Sequence, residues 1–495
     1  MIELIRRAED FHDNIAILSD DQEYNYNTLL GESRNVSASL LQNSTDLDGQ
    51  RVAFMVAPGL DYVKVQWGIW QAGGIAVPMN PETPASALEY VLKDSLTSII
   101  IVSPIFESVL KDYAEENEID LLMTDQCDSR NTTLPEIQSH RSAMILYTSG
   151  TTGSPKGVVT THANIEAQIT SLIEAWQWTS ADSIVNILPL HHVHGIINVV
   201  SCALWAGASC RFLPRFDAEK IFSLIEQQQI NVFMAVPTIY FKLIAYWQEL
   251  VVDEQAKIAG ALGKMRLMVS GSAALPVSIL EKWQEISGHT LLERYGMTEI
   301  GMAISNPYIG IRKPGHIGHP LPGVEVRLVD ETNNLVFAGD QGEIQVKGPA
   351  VFDSYWNREK ATRESFTEDG WFKTGDIAIL NEGSYKILGR SSVDIIKSGG
   401  YKISALEIEE VIRTHSDIKD CAVIGIPDEE WGEVIGAGIV MSDAKLETEK
   451  LKQWLKEKLP GYKVPRKYLT LDDLPRNAMG KVTKKELIEQ FKLQQ

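Results

Sequence analysis

The sequence predicts an α/β protein of two domains. A large N-terminal domain over residues 1–389 is built of β/α subdomains with a small β-rich subdomain at about 314–389, and a small α+β domain follows over 390–495. Three observations carry this. Short runs of Val, Ile, Leu and Met recur between longer helical patterns up to about Gly301, the texture changes to short strands and turn residues after Pro314, and it changes again after Gly389. A chain of 495 residues is too long for one core, and 44% hydrophobic with 23% charged residues is the balance of an ordinary folded protein.

The first texture is a series of apolar runs: RVAFMVAPG, SIIIVS, AMILYTSG, SIVNILPL, NVFMAVP and MRLMVSGSA. Such unbroken runs read as strands buried on both faces of parallel sheets. Between them, stretches such as Asn164 to Trp176 and Ala218 to Gln229 have helical spacing and length. The second texture, VEVRLVD, GEIQVKG, WFKTGDIAIL and SYKILG, is broken by Gly and Asp turns and gives the β-rich subdomain. The third reads as a helix, two strands, a helix and a final helix. Ser404 and Glu407 predict a capping box for the first of these helices, with Ile408, Val411 and Ile412 as its apolar stripe. Leu451, Trp454, Leu455 and Leu459 predict the core face of the next.

Charge and cysteine content exclude several classes of function. A net charge of -20 repels nucleic acid and anionic lipid, although residues 445–495 hold thirteen Lys or Arg against seven Asp or Glu. That local excess suits either solvated helix faces or a small phosphorylated ligand. The four cysteines, Cys127, Cys202, Cys210 and Cys421, include no CxxC pair, which points to a reducing compartment without disulfides or structural zinc. The N-terminus mixes acids with bases and lacks a signal-peptide core, and the apolar stretch from Gly195 to Cys210 is too short to span a membrane. A cytoplasmic protein with small-molecule partners, no nucleic acid and no membrane span is expected.

The strongest chemical signal is YTSGTTGSPKGV, where an apolar strand ending at Tyr147 runs into Thr148, Ser149, Gly150, Thr151, Thr152, Gly153, Ser154 and Pro155 before Lys156. Glycines let the backbone approach a polyanion, hydroxyls and amides donate to phosphate oxygens, and the lysine adds a point charge. The loop is not a P-loop, because Gly157 rather than Ser or Thr follows the lysine. His191, His192 and His194 have no nearby Cys or acid to complete a metal site, so metal binding is disfavoured there.

With that loop, LPLHHVHG, LLERYGMTE, GWFKTGD, GRSSVDIIKSGGYK and PRNAMGK stand in order along nearly the whole chain. Together they resemble the adenylate-forming superfamily of acyl-CoA synthetases, adenylation domains and luciferases. The resemblance implies a mobile C-terminal domain and assigns roles. ATP would meet the loop from Thr148 to Lys156. Adenine would lie against Tyr295, Gly296 and the Gly271, Ser272 and Ala273 backbone, and the ribose on Asp376 and Arg390. Thr298 would touch the α-phosphate, Glu299 would help hold Mg2+, and Lys481 would neutralise charge as the acid attacks. Ser398, Gly399 and Gly400 would line the CoA path. The usual charged hinge position after the GR pair holds Ser392, with Asp394 two residues on, and the hinge stays unassigned between Ser391 and Asp394.

Arg294 precedes Tyr295, where the resemblance puts the acyl pocket. A buried guanidinium needs an acidic partner, supplied by the substrate or by Glu293. The combination HHVHG, FMAVPTIY, SGSAALP and LLERYGMTEIGM resembles the malonate-activating branch of the superfamily, which would put Arg294, Ser272 and His192 at the acid, Arg294 on its distal carboxylate, and implies malonate, ATP and CoA as substrates and malonyl-CoA as product. Methylmalonate, other short-chain, medium-chain or aryl acids, and a carrier protein as acyl acceptor remain alternatives.

Overall fold

Because strands covered by helices on both sides must be apolar on both faces, the unbroken runs of Val, Ile and Met become the inner strands of two sheets. The computed structural model describes residues 2–19, 22–127, 132–148, 155–442, 447–476 and 482–493. One sheet has seven strands, with Arg51–Met55, Ile75–Pro78, Ile99–Val102, Asp120–Met123 and Ser142–Thr148 linked in parallel. Lys156–Thr161 then runs antiparallel to Ser142–Thr148, and Ser354–Tyr355 closes that edge.

A second sheet has nine strands. Its parallel centre runs through Ser209–Phe212, Ser183–Asn186, Val232–Ala235, Leu267–Ser270 and Leu292–Met297, and Gly301–Ser305 turns back antiparallel. Helices fill the space between and around the sheets. Tyr26–Leu41 and Leu60–Gln71 cross closely because Gly68 has no side chain: a Cβ there would lie 2.5 Å from Val36 Cγ1.

Past residue 314 the chain forms a four-stranded antiparallel sheet, Glu325–Val329, Gln341–Lys347, Phe372–Asn381 and Ser384–Arg390. Burial alternates along Phe372–Asn381, the mark of a strand with one face on a core. The segment is not one closed unit, because Ser354–Tyr355 within it pairs with Lys156–Thr161 of the first sheet.

The large N-terminal α/β domain is followed by a smaller α+β domain, with Ile395–Ser398, Tyr401–Ser404, Gly432–Met441, Ile418–Asp428 and Lys467–Leu471 in one sheet. The sequence predicts a helix first here; the chain instead opens with the hairpin Ile395–Ser398 and Tyr401–Ser404 and adds the strand Lys467–Leu471. Gly399 and Gly400, both at positive φ (56° and 84°), make the tight hairpin turn; positive φ at both central residues is what such a turn requires. Lys467–Leu471, a short edge strand beside Gly432–Met441, carries no clear alternation. The capping box is half made. Ser404 Oγ accepts from Glu407 N, but the Glu407 carboxylate is drawn to Lys463 Nζ at 2.8 Å and Lys386 Nζ at 3.7 Å instead of turning back to its own helix start.

Contacts between the two domains include Val277 N donating to Glu410 Oε1 at 3.1 Å and the Lys402–Glu331 ion pair at 2.9 Å. Among the described residues no helix is long and apolar enough to cross a membrane.

Candidate active site

The strand Leu292–Met297 organises the site, because its alternating side chains serve opposite faces of the sheet. Leu292 joins the core on one face, and Arg294 follows it to that side. Glu293 points the other way and accepts from Gly315 N at 3.1 Å. The two neighbours in sequence therefore cannot pair, and the internal partner considered for Arg294 is removed by geometry.

Arg294 is 5% exposed, and neither its Nε nor its Nη2 has a hydrogen-bond partner among the described residues. Burial pulls its pKa down to about 9. Those two nitrogens form the edge that grips a carboxylate side-on, and this protein uses the same edge twice elsewhere. Arg390 holds Asp376 through Nε and Nη2 at 2.9 and 3.3 Å, and Arg266 holds Asp182 at 2.7 and 2.9 Å. At Arg294 that edge is open. Gly271 makes room for it, since a Cβ there would lie 2.4 Å from the guanidinium carbon.

Beside this fork lie His194 and Ser272. His194 Nδ1 and Ser272 Oγ are 3.0 Å apart, with Ser272 at φ +67° just past the strand Leu267–Ser270. Burial, with Arg294 and His192 adding to it, keeps His194 uncharged. His191 is driven down to about 3 by burial and by His192, whose ring stands 4.2 Å away. His192, the histidine that the resemblance puts beside the acid, is packed against His191.

A second cluster surrounds Asp376. Tyr295 Oη donates to Asp376 Oδ2 at 2.6 Å, and Arg390, the cross-strand partner of Asp376, completes the group. Burial opposes the charge of Arg390, but the bonds to Asp376 outweigh it and hold its pKa above the ordinary value. Tyr295 spends its hydroxyl on Asp376, which leaves the ring face for a ligand.

The third cluster sits at the turn after Met297. Glu299 is buried and half-buried Thr298 precedes it. Burial raises the Glu299 pKa, while the Tyr355 hydroxyl, donating to Oε1 at 2.9 Å, Arg390 and Lys156 pull it back. Lys156 Nζ lies 5.0 Å from the centre of the Tyr355 ring. Tyr355 was not legible in the sequence, since an aromatic in an irregular stretch signals only packing. Thr148 and Lys156 are register partners at the mouth of the Gly-rich loop. Of that loop, Ser149, Gly150, Thr151, Thr152, Gly153 and Ser154 lie outside the described residues, as does Lys481; Pro155 is described, and its carbonyl accepts from Tyr90 Oη at 2.9 Å.

Ser398, Gly399 and Gly400 stand at the hairpin turn of the small domain. Gly399 packs on Trp431, and a Cβ on Gly400 would meet open space. The unassigned hinge region is a turn closed by Asp394: its Oδ2 accepts from Arg390 N at 3.0 Å, and Oδ1 pairs with Lys484 Nζ at 2.7 Å. Lys484, whose Nζ also reaches Glu409 at 2.9 Å, begins the last helix three residues after Lys481.

Glu293 carries a stability prediction. Burial pushes its pKa up to about 8 from an ordinary 4.5, with the Gly315 N–H opposing the rise and Glu410 reinforcing it. Between those two values the folded protein holds a proton that the unfolded chain has released, so stability falls as pH rises through the window. Glu293→Gln keeps the acceptor for Gly315. It is expected to leave Tm unchanged near pH 4 and to raise it at about pH 8.5, on the order of 1 °C per kcal/mol gained, from roughly 2 cal/mol/K of unfolding entropy per residue. Melting curves of both proteins across pH check this, and parallel Tm profiles would refute it.

Comparison with known proteins follows the same lines. The AMP-binding enzyme family model matches residues 4–356, and that of the AMP-binding enzyme C-terminal domain matches residues 407–481. The chain is similar to a mitochondrial malonate–CoA ligase of Xenopus laevis, 43% identical across 99% of this chain and 92% of that protein. It is also similar to a malonate–CoA ligase of Arabidopsis thaliana, 39% identical across 97% of this chain and 86% of that one. Among solved structures, ATP-bound MatB from Rhodopseudomonas palustris superposes with a TM-score of 0.90 at 32% identity, over 99% of both chains.

Proposed function

The chain belongs to the AMP-binding enzyme family, and from that premise we infer that it is an AMP-forming acid–thiol ligase making malonyl-CoA from malonate, ATP and CoA. The observation that carries the choice of acid is the open Nε and Nη2 edge of Arg294, a buried carboxylate-shaped fork with no acid to fill it among the described residues. An apolar acyl chain would leave that charge unpaired, at a cost of several kcal/mol. The second carboxylate of malonate fills it.

The reaction runs in two steps. One carboxylate oxygen of malonate attacks the α-phosphorus of ATP, the bond to the β-phosphate oxygen breaks, and pyrophosphate leaves malonyl-adenylate. The CoA sulfur, losing its proton, then attacks the acyl carbon and expels AMP. The loop from Thr148 to Lys156 grips the phosphates, Gly271, Ser272, Ala273, Tyr295 and Gly296 border the adenine, and Asp376 with Arg390 holds the ribose. Asp376 Oδ1 accepts one bond from Arg390 and keeps a lone pair for a sugar hydroxyl.

Thr298 contacts the α-phosphate and Lys481 neutralises the charge gathering there. Glu299 suits Mg2+, which takes one or two carboxylates together with phosphate oxygens; Tyr355 occupies only one face of its carboxylate. When bound, the ion screens phosphate charge. Ser398, Gly399 and Gly400 form the CoA path once the small domain turns about the segment from Ser391 to Asp394.

The test is a panel of mono- and dicarboxylic acids with ATP, Mg2+ and either CoA or a carrier protein, read by mass spectrometry. Malonyl-CoA and AMP are the expected dominant products. Preference for butyrate or a longer monocarboxylate, or acyl transfer to the carrier alone, would overturn the reading.

A further inference from the structure

Arg294 is not the only buried donor left open on its side of the sheet. Asn198 is fully buried on the π-helix His194–Ser201, four residues after His194 and therefore close to the same side of that helix. Its amide is oriented by Gln168, whose Nε2 donates to Asn198 Oδ1 at 3.2 Å. Gln168 is itself buried and wedged against Gly301, where a Cβ would lie 2.6 Å from the Gln168 side chain. With its oxygen so engaged, Asn198 turns Nδ2 away from Gln168, and that nitrogen has no partner among the described residues. His194, on the same helix, is next to Arg294 electrostatically and leaves its own Nε2 without a partner.

A buried amide with both hydrogens unpaired is costly, and native proteins pair such groups with protein, water or ligand. Among the described residues, Asn198 Nδ2 and the Nε and Nη2 of Arg294 are buried donors without a partner, and His194, four residues before Asn198, feels the charge of Arg294. Unpaired donors gathered at one place describe the negative of an anionic ligand.

We propose that Asn198 is a specificity-determining residue that donates from Nδ2 to the distal carboxylate of the acid substrate, alongside Arg294, with Gln168 as the positioning residue that fixes which face of the amide is presented. The inference rests on the malonate reading and adds to it a second contact from a different element. Gly301 supports the arrangement, since any side chain there would displace Gln168.

The test compares kcat/KM for malonate and butyrate in the parent, Asn198→Asp, Asn198→Leu and Gln168→Leu, with AMP affinity as the control for folding. Asn198→Asp keeps the shape and the bond from Gln168 but faces the substrate with an acceptor and a negative charge. It is expected to lower kcat/KM for malonate by about 100-fold or more, mainly through KM, while butyrate and AMP change less than about threefold. Asn198→Leu is expected to cost malonate about 10-fold, and Gln168→Leu somewhat less. Equal losses for both acids, or a malonate-to-butyrate ratio unchanged in Asn198→Asp with normal AMP affinity, would overturn the assignment. A parent that does not prefer malonate to butyrate would instead overturn the functional reading beneath it.

Discussion

Arg294→Leu is expected to lower kcat/KM for malonate by roughly two to four orders of magnitude, because removing one partner of a buried ion pair costs about 3–5 kcal/mol at about 1.4 kcal/mol per tenfold. Butyrate, with no second charge, should lose far less or gain, since the variant no longer buries an unpaired cation. The structure sharpens the expectation for lysine. The open edge of Arg294 presents two parallel N–H groups, and Gly271 leaves space for the flat guanidinium to lie against the backbone. Arg294→Lys keeps a charge but offers no fork, so it should fall between parent and leucine variant. The readout is the malonate-to-butyrate ratio of kcat/KM, measured by AMP release. A leucine variant that still prefers malonate as strongly as the parent would sink the assignment of Arg294 while leaving the acid–thiol ligase intact.

Lys481→Ala should nearly abolish adenylate formation, by about 100- to 1000-fold, the usual loss when one electrostatic donor to a transition state is removed. Thioester formation from supplied malonyl-AMP should survive, because that step releases AMP without gathering charge on a pentavalent phosphorus. ATP–pyrophosphate exchange reads the first step and CoA-dependent consumption of malonyl-AMP reads the second. Equal loss in both would mean that Lys481 serves the fold rather than the chemistry. The neighbouring Lys484 is the structural member of the pair, buried between Asp394 and Glu409.

Much of the fold was legible because the signals were local. An unbroken apolar run cannot be left in water, so SIIIVS and NVFMAVP had to be inner strands, and the Gly and Asp turns between VEVRLVD, GEIQVKG, WFKTGDIAIL and SYKILG marked the β-rich part. The hairpin at Gly399 and Gly400 was hidden because its first strand opens with IIK, which suits a helix start as well as a strand, and two glycines also suit a loop around a ligand. Glu407 looked like half of a capping box because the motif contains no information about Lys463, which lies 56 residues away and takes the carboxylate.

The sequence by itself determined which residue types were available for the chemistry: a phosphate-gripping loop, an acid in a turn, a lysine near the end of the chain, and an arginine ahead of Tyr295. Whether Arg294 was spent on Glu293 was decided only by the tertiary structure. Adjacent residues on a strand face opposite ways, and the contacts that each face meets, Gly315 for one and Gly271 for the other, come from distant parts of the chain. The same holds for Tyr355 at Glu299 and for Asn198 turned by Gln168. A hydrogen bond is a property of two groups at about 3 Å, and no pattern along one segment states what will stand at that distance from it.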